Sequence, residues 1–331
     1  MLGYLSAWID AEKVGLMATY DVLVIGGGVA GLTAAMFTSR RKLSTAVVSF
    51  EYGGQTAIPA VINNYPGFES IGGGELMGRM RKQALSCGVE AIDGKVSKIE
   101  KSKGGFEATL SNGGRHFAKA LILAYGKSPR MLGVQGEEKY IGKGVYPNVI
   151  HNPELYKGKT VAVIGGGNSA FGTAIECAQT GKLVYVVNRS EKFRGEETLL
   201  EKIKILPNVR LLTNKVVDDA KGDEKWLREI IIRDVASGAK ETLEVDFMFE
   251  NIGLEVKNDF CAHLVRLNEY KEIEVNGCCE TGVPGLFAAG DATNIPFKQT
   301  VISAGEGAKA GIQAYKYVKG DKSRTSLDWT H

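Results

Sequence analysis

Twice along the 331 residues, a short apolar run leads straight into three consecutive glycines and then into a helical pattern. The first copy is YDVLVIGGGVAGLTAA, from Tyr20 to Ala35, and the second is TVAVIGGGNSA, from Thr160 to Ala170. Each is followed by a second apolar run of strand length, Thr45 to Phe50 and Leu183 to Val187. A strand that is apolar at every position has both faces covered, which points to parallel sheet sandwiched between helices. The glycines allow a tight turn and let backbone N–H groups approach a pyrophosphate on the helix N-terminus. The expected fold class is therefore α/β, with two Rossmann-like domains, each built to hold one dinucleotide.

Alternating segments follow each glycine loop. After the first come KVSKIE, FEATLS and HFAKALILAYG; after the second come VRLLTNKVVDD, WLREIIIRDV and ETLEVDFMFENIG. Gly-rich turns between them predict a meander in each half. A last strand is expected at Leu286–Ala289, running into Gly290-Asp291. A final helix is expected from about Gln299, with Gly320 as its C-terminal stop.

Composition narrows the class. Apolar residues make up 44% and charged residues 24%, enough for a core without disulfides or metals. The net charge of +3 gives no nucleic-acid footprint. The five cysteines, Cys87, Cys177, Cys261, Cys278 and Cys279, form no C-x-x-C, so no zinc site and no disulfide framework is indicated. No run reaches the ~18 apolar residues of a membrane span. The start, MLGYLSAWIDAEKVGLMATYD, places charges inside its apolar run and does not resemble a signal peptide. Two readings fit it: an amphipathic helix, or a true start at Met17. A cytoplasmic location is expected.

The motifs, taken in order, resemble the low-molecular-weight thioredoxin reductases among the pyridine nucleotide–flavin oxidoreductases. The resemblance runs from about Tyr20 to Gly320. It rests on GGGVAG, YGGQ (52–55), NNYPGFE (63–69), LAYGKSPR (123–130), GGGNSA, NRSEKFR, FAAGDATNIPFKQT and SAGEG (303–307). It implies FAD held by Gly26, Gly28, Ala30, Gly31, Gly54, Gln55, Asn64, Ala124, Gly126, Gly290, Asp291, Lys298, Gln299 and Thr300. Glu51, twenty residues after Gly31, stands where a ribose-binding acid belongs. It also implies NADP(H) held by Gly165, Gly167, Asn168, Ser169, Arg189 and Arg194. The two arginines suit a 2′-phosphate. Ser190, where the family has a further arginine, leaves NAD(H) as a competing donor.

The implied layout is an N-terminal extension (1–19), an FAD domain in two parts (20–128 and 256–320), an inserted nicotinamide domain (129–255) and a tail (321–331). Hinges would lie near Gly126–Arg130 and Gly253–Lys257. A homodimer is implied as well. If the final helix points its N-terminus at the flavin, its dipole and Lys298 favour the anionic reduced ring.

One departure matters most. The family's redox cysteine pair falls on Asn148 and His151, and its following acid on Asn152. An amide cannot attack a disulfide, and an imidazole cannot store two electrons. Electrons are therefore expected to leave from the flavin itself, as in the thioredoxin-reductase-type ferredoxin–NADP⁺ reductases, which resemble this build and lack the pair. An acidic ferredoxin is the expected partner, docking on Arg40–Lys42 or Arg79–Gln83. His151 would tune the flavin rather than carry electrons. Trp329 and His331 are candidates for covering the ring. Two rivals stand beside this reading: an NAD(P)H oxidase or quinone reductase, and a non-catalytic FAD-binding redox sensor.

Overall fold

The structure is a computed structural model that describes residues 17–323. The amphipathic helix that is one of the two readings of the N-terminus, and the roles suggested for Trp329 and His331, fall outside the described residues. The chain divides into two units. One is formed by the segments on either side of 128–255, and the other is Ser128–Glu255 itself.

In the first unit, Ala18–Gly27 pairs in parallel with Thr45–Tyr52 on one side and Arg115–Leu123 on the other. Glu90–Asp93 extends the sheet in parallel beyond Thr45–Tyr52. Successive residues of the first strand go to opposite faces. Val22 and Val24 join the core under the helices, while Leu23 and Ile25 join a second core against residues 260–286. That is the burial the apolar run requires.

The sheet is mixed, because the expected meander joins its edge. Gly105–Leu110 pairs antiparallel with the first half of Arg115–Leu123, and Val96–Ser102 pairs antiparallel with Gly105–Leu110. The second half of Arg115–Leu123 instead takes Leu286–Ala288 in parallel. One strand thus forks the sheet, because its polar half meets the meander and its apolar half meets the returning chain.

The helices Val29–Ser39 and Thr300–Lys319 lie against each other. Their closeness is set by glycine. A Cβ on Gly307 would lie 2.2 Å from the Ala30 carbonyl oxygen, and one on Gly311 would lie 2.7 Å from that of Ala34. The last helix ends at Gly320, in the left-handed region at φ 67°, as a helix stop demands.

The second unit has a five-stranded parallel sheet. Its order is Val209–Leu212, Leu183–Val187, Thr160–Ile164, Phe247–Glu250, Val145–Tyr146. Val161 and Val163 face one core, Ala162 and Ile164 the other. The meander Lys215–Gly222, Leu227–Asp234 and Lys240–Glu244 forms a separate antiparallel sheet. No helix among the described residues is long and apolar enough to cross a membrane.

Candidate cofactor sites

The first glycine loop shows why each glycine is there. Gly26 has φ 112°, and a Cβ on it would lie 2.4 Å from the Ala124 carbonyl oxygen. A Cβ on Gly31 would lie 1.9 Å from the Gly26 carbonyl oxygen, so this glycine seats the helix on the turn. Gly28 is different: a Cβ there would meet no protein atom within 4 Å. No described residue requires that position to be bare. The bare backbone at the helix N-terminus fits a pyrophosphate that comes as close as the backbone allows. The Gly27 N–H donates to Ser49 Oγ at 3.0 Å, and Ser49 Oγ donates to the Glu51 carbonyl oxygen. The end of the second strand is thereby tied to the loop, with the Glu51 side chain exposed beside it.

Contacts continue from this cradle to the last helix. Gly54, with φ 54° and Gln55 next to it in a short 3-10 turn (Gly54–Ala57), comes within 3.8 Å of the Gly28 Cα when given a Cβ. Thr56 Oγ1 lies 3.2 Å from Thr300 Oγ1, and Asn64 Nδ2 donates to Gln299 Oε1 at 3.2 Å. Ser303 Oγ donates to Asp291 at 3.1 Å. A Cβ on Gly290 would lie 2.9 Å from that of Ala30. Gly126 has φ 66° and an open Cβ side. Gly28, Gly54, Asn64, Gln299 and Thr300 thus lie around the loop and the last helix's N-terminus, which has no side-chain cap. Lys298, just before that helix, is held by Glu272 Oε1 at 3.2 Å and by the Thr293 carbonyl oxygen.

The second loop repeats the plan inside its own unit. Gly165 has φ 139°, and a Cβ on it would lie 2.3 Å from the Asn251 carbonyl oxygen. Gly167 is the open position, with nothing within 4 Å. Asn168 Nδ2 donates to Glu196 Oε1 at 2.8 Å, and the Glu196 N–H donates back to Asn168 Oδ1 at 2.7 Å. Ser169 Oγ accepts from Asn251 Nδ2 at 2.9 Å. Asn188 Nδ2 donates to the Ser190 and Lys192 carbonyl oxygens and shapes the turn that carries Arg189 and Arg194. Both arginines are exposed, and neither has an ion-pair partner among the described residues.

The position of the missing cysteine pair lies in the second unit as well. His151 Nδ1 sits 2.8 Å from Glu176 Oε2, on the helix Asn168–Ala178. The contact ties the imidazole ring to that helix of its own unit. All five cysteines are free thiols. Burial pushes Cys177 and Cys279 up to about 12 and Cys261 up to about 11. Among the described residues no group of three or more His, Cys, Asp and Glu is arranged to hold a metal.

Two glycine cradles, each on its own α/β unit, are the build of a protein that holds two dinucleotides. The pattern of the pyridine nucleotide-disulphide oxidoreductases matches residues 20–311, and the chain belongs to that family, which uses FAD and NAD(P)H. Alkyl hydroperoxide reductase (the F subunit) of Pseudomonas aeruginosa is 36% identical over 313 residues, 93% of this chain and 60% of that protein. Its Escherichia coli counterpart is 34% identical, with 93% and 60% covered. The chain therefore spans about three fifths of these relatives' length. Thioredoxin reductase of Lactococcus lactis superposes with a TM-score of 0.80 at 31% identity, covering 91% of this chain and 99% of that one. That of T. acidophilum gives 0.77 at 32%, covering 90% and 98%.

The suggested basic docking patches are partly engaged. Arg79 pairs with Glu75 at 2.7 Å, Arg81 lies over the Tyr52 ring, and Arg41 lies over Phe37 and Tyr315. Arg40, Lys42 and Lys82 are exposed. Sequence reasoning missed Glu176, Glu196, Glu272 and Lys127, which Glu272 also holds. Each meets its partner across 25 to 145 residues, and no short motif signals that.

Proposed function

We propose that this chain is an FAD enzyme that passes reducing equivalents between NADPH and an acceptor that meets the flavin directly, with a ferredoxin-like one-electron carrier as first choice. When bound, FAD supplies the conversion between a hydride and single electrons. The observation that carries this reading is the state of the cysteine-pair position: Asn148 and His151 stand there, and His151 is already paired with Glu176. The buried thiols offer no substitute, because a thiol pushed up to about 11 or 12 is inert at neutral pH.

The chain's own residues have the following roles. Gly28 and Gly167 leave backbone bare for the two pyrophosphates. Asn64, Gln299, Thr56 and Thr300 fix the loop over the last helix's N-terminus, whose dipole favours a developing negative charge. Arg189 and Arg194, exposed and unpaired among the described residues, favour the 2′-phosphate of NADPH over NADH. A homodimer is part of the same reading. Anaerobic reduction by NADPH, followed by mixing with ferredoxin, flavodoxin, thioredoxin, quinone and oxygen, tests it. Fast reoxidation by ferredoxin and none by thioredoxin supports the proposal. Fast reoxidation by oxygen or quinone alone replaces it with an oxidase or quinone reductase, and slow reduction by both nucleotides replaces it with a sensor.

A further inference from the structure

Glu272 is buried between two lysines. Its Oε1 is 2.8 Å from Lys127 Nζ and 3.2 Å from Lys298 Nζ, and the three side chains are only 11–24% exposed. Asn268 Nδ2 donates to Oε2 at 2.9 Å, and Asn268 Oδ1 accepts from the Glu272 N–H. Burial would push this carboxyl up, but the hydrogen bonds from Lys127 and Asn268 and the charge of Lys298 outweigh it and hold the carboxyl below its usual value. The cluster therefore carries two ammonium groups and one carboxylate, a net single positive charge in a poorly solvated place. It lies next to the uncapped N-terminus of Thr300–Lys319, through Lys298 and the N-cap Gln299. The contacts from Gly28 through Gly54 and Thr56 to Thr300 join that N-terminus to the pyrophosphate cradle.

We propose that Lys127, acting through Glu272, sets how much positive charge Lys298 presents to the flavin, and so sets the flavin's midpoint potential. The inference rests on the FAD assignment made under the proposed function. Lys127 and Glu272 are positioning residues here. With both lysines, the single carboxylate cannot neutralise Lys298, and residual positive charge favours the reduced, more anionic ring. Without Lys127, Glu272 is left to Lys298 alone and the cluster becomes neutral. Without the Glu272 charge, both lysines stand uncompensated. Low-dielectric surroundings make such changes felt more strongly than in water.

The test is an anaerobic redox titration of purified holoenzyme, read by flavin absorbance against a reference dye. Lys127→Met should lower the midpoint potential, and Glu272→Gln should raise it. The double variant keeps one lysine and no carboxylate, so its net charge equals the wild type's and its potential should return toward the wild-type value. Lys127→Arg should rescue the single variant. Opposite shifts that cancel in the double variant are not produced by mere loosening of the structure. Shifts of the same sign in the two single variants, or none in either, would overturn the inference while leaving FAD binding intact. Colourless wild-type protein would overturn the FAD assignment and this inference with it.

Discussion

Glu250 should make the unit Ser128–Glu255 less stable as pH rises, and Glu250→Gln should remove that dependence. Glu250 ends the strand Phe247–Glu250 and is 1% exposed, with the Glu137 carboxyl beside it. Burial first, and then Glu137, push its carboxyl up from 4.5 to about 9. Glu137 is itself buried and accepts from the N–H groups of Leu132, Gly133 and Val134. A raised acid holds a proton in the folded state that the unfolded state gives up. Its contribution is therefore fully present below about pH 4.5 and is lost as pH climbs toward about 9. Within that window the slope is at most one proton, about 1.4 kcal/mol per pH unit, so the loss between pH 6 and pH 8 is up to about 3 kcal/mol. Scanning calorimetry of wild type and Glu250→Gln across pH 5 to 8.5 measures it. The variant's transition should stay nearly level while the wild type's falls by several degrees. Parallel pH profiles for the two proteins would refute the reasoning.

Gly28→Val should give colourless protein, because a side chain would fill the one loop position that the chain itself leaves open; fully flavinated variant protein would contradict the cradle. NADPH should be preferred to NADH, and Arg189→Ala should erase roughly tenfold to a hundredfold of that preference, the worth of a charged hydrogen bond at about 1.5–3 kcal/mol; an equal loss with both nucleotides in steady-state kinetics would count against a 2′-phosphate role. Turnover with ferredoxin should fall as salt rises, since exposed charges are screened beyond ~8–10 Å; salt-independent rates would remove the basic dock on Arg40, Lys42 and Lys82.

What the sequence made legible was local. Part of each glycine loop could be read because its reason is local, as where Gly31 is bare for the Gly26 carbonyl; Gly26 and Gly165 are bare for carbonyls of Ala124 and Asn251, which only the folded chain brings close. The strands buried on both faces were legible for the same reason, as in Val22–Ile25. The meanders show where that stops. Both halves carry the same alternating pattern, yet one meander extends its sheet and the other forms a sheet of its own. Alternation specifies which face is buried and says nothing about which edge is free to pair. The charge pairs were illegible for a further reason. Lys127 and Glu272 are 145 residues apart, and His151 and Glu176 are 25 apart, so only the folded chain brings them together. His151 has a carboxylate of its own unit as partner, which a pattern of isolated residues could not reveal.

An anaerobic reductive titration with dithionite counts the electrons that the holoenzyme stores. A chain whose only redox centre is the flavin takes up about two electrons per FAD, in a single phase that bleaches the yellow colour. That is the expected result for Asn148 and His151 in the cysteine-pair position. Uptake of about four electrons per FAD would reveal a redox-active disulfide among the five cysteines and contradict direct exit from the flavin.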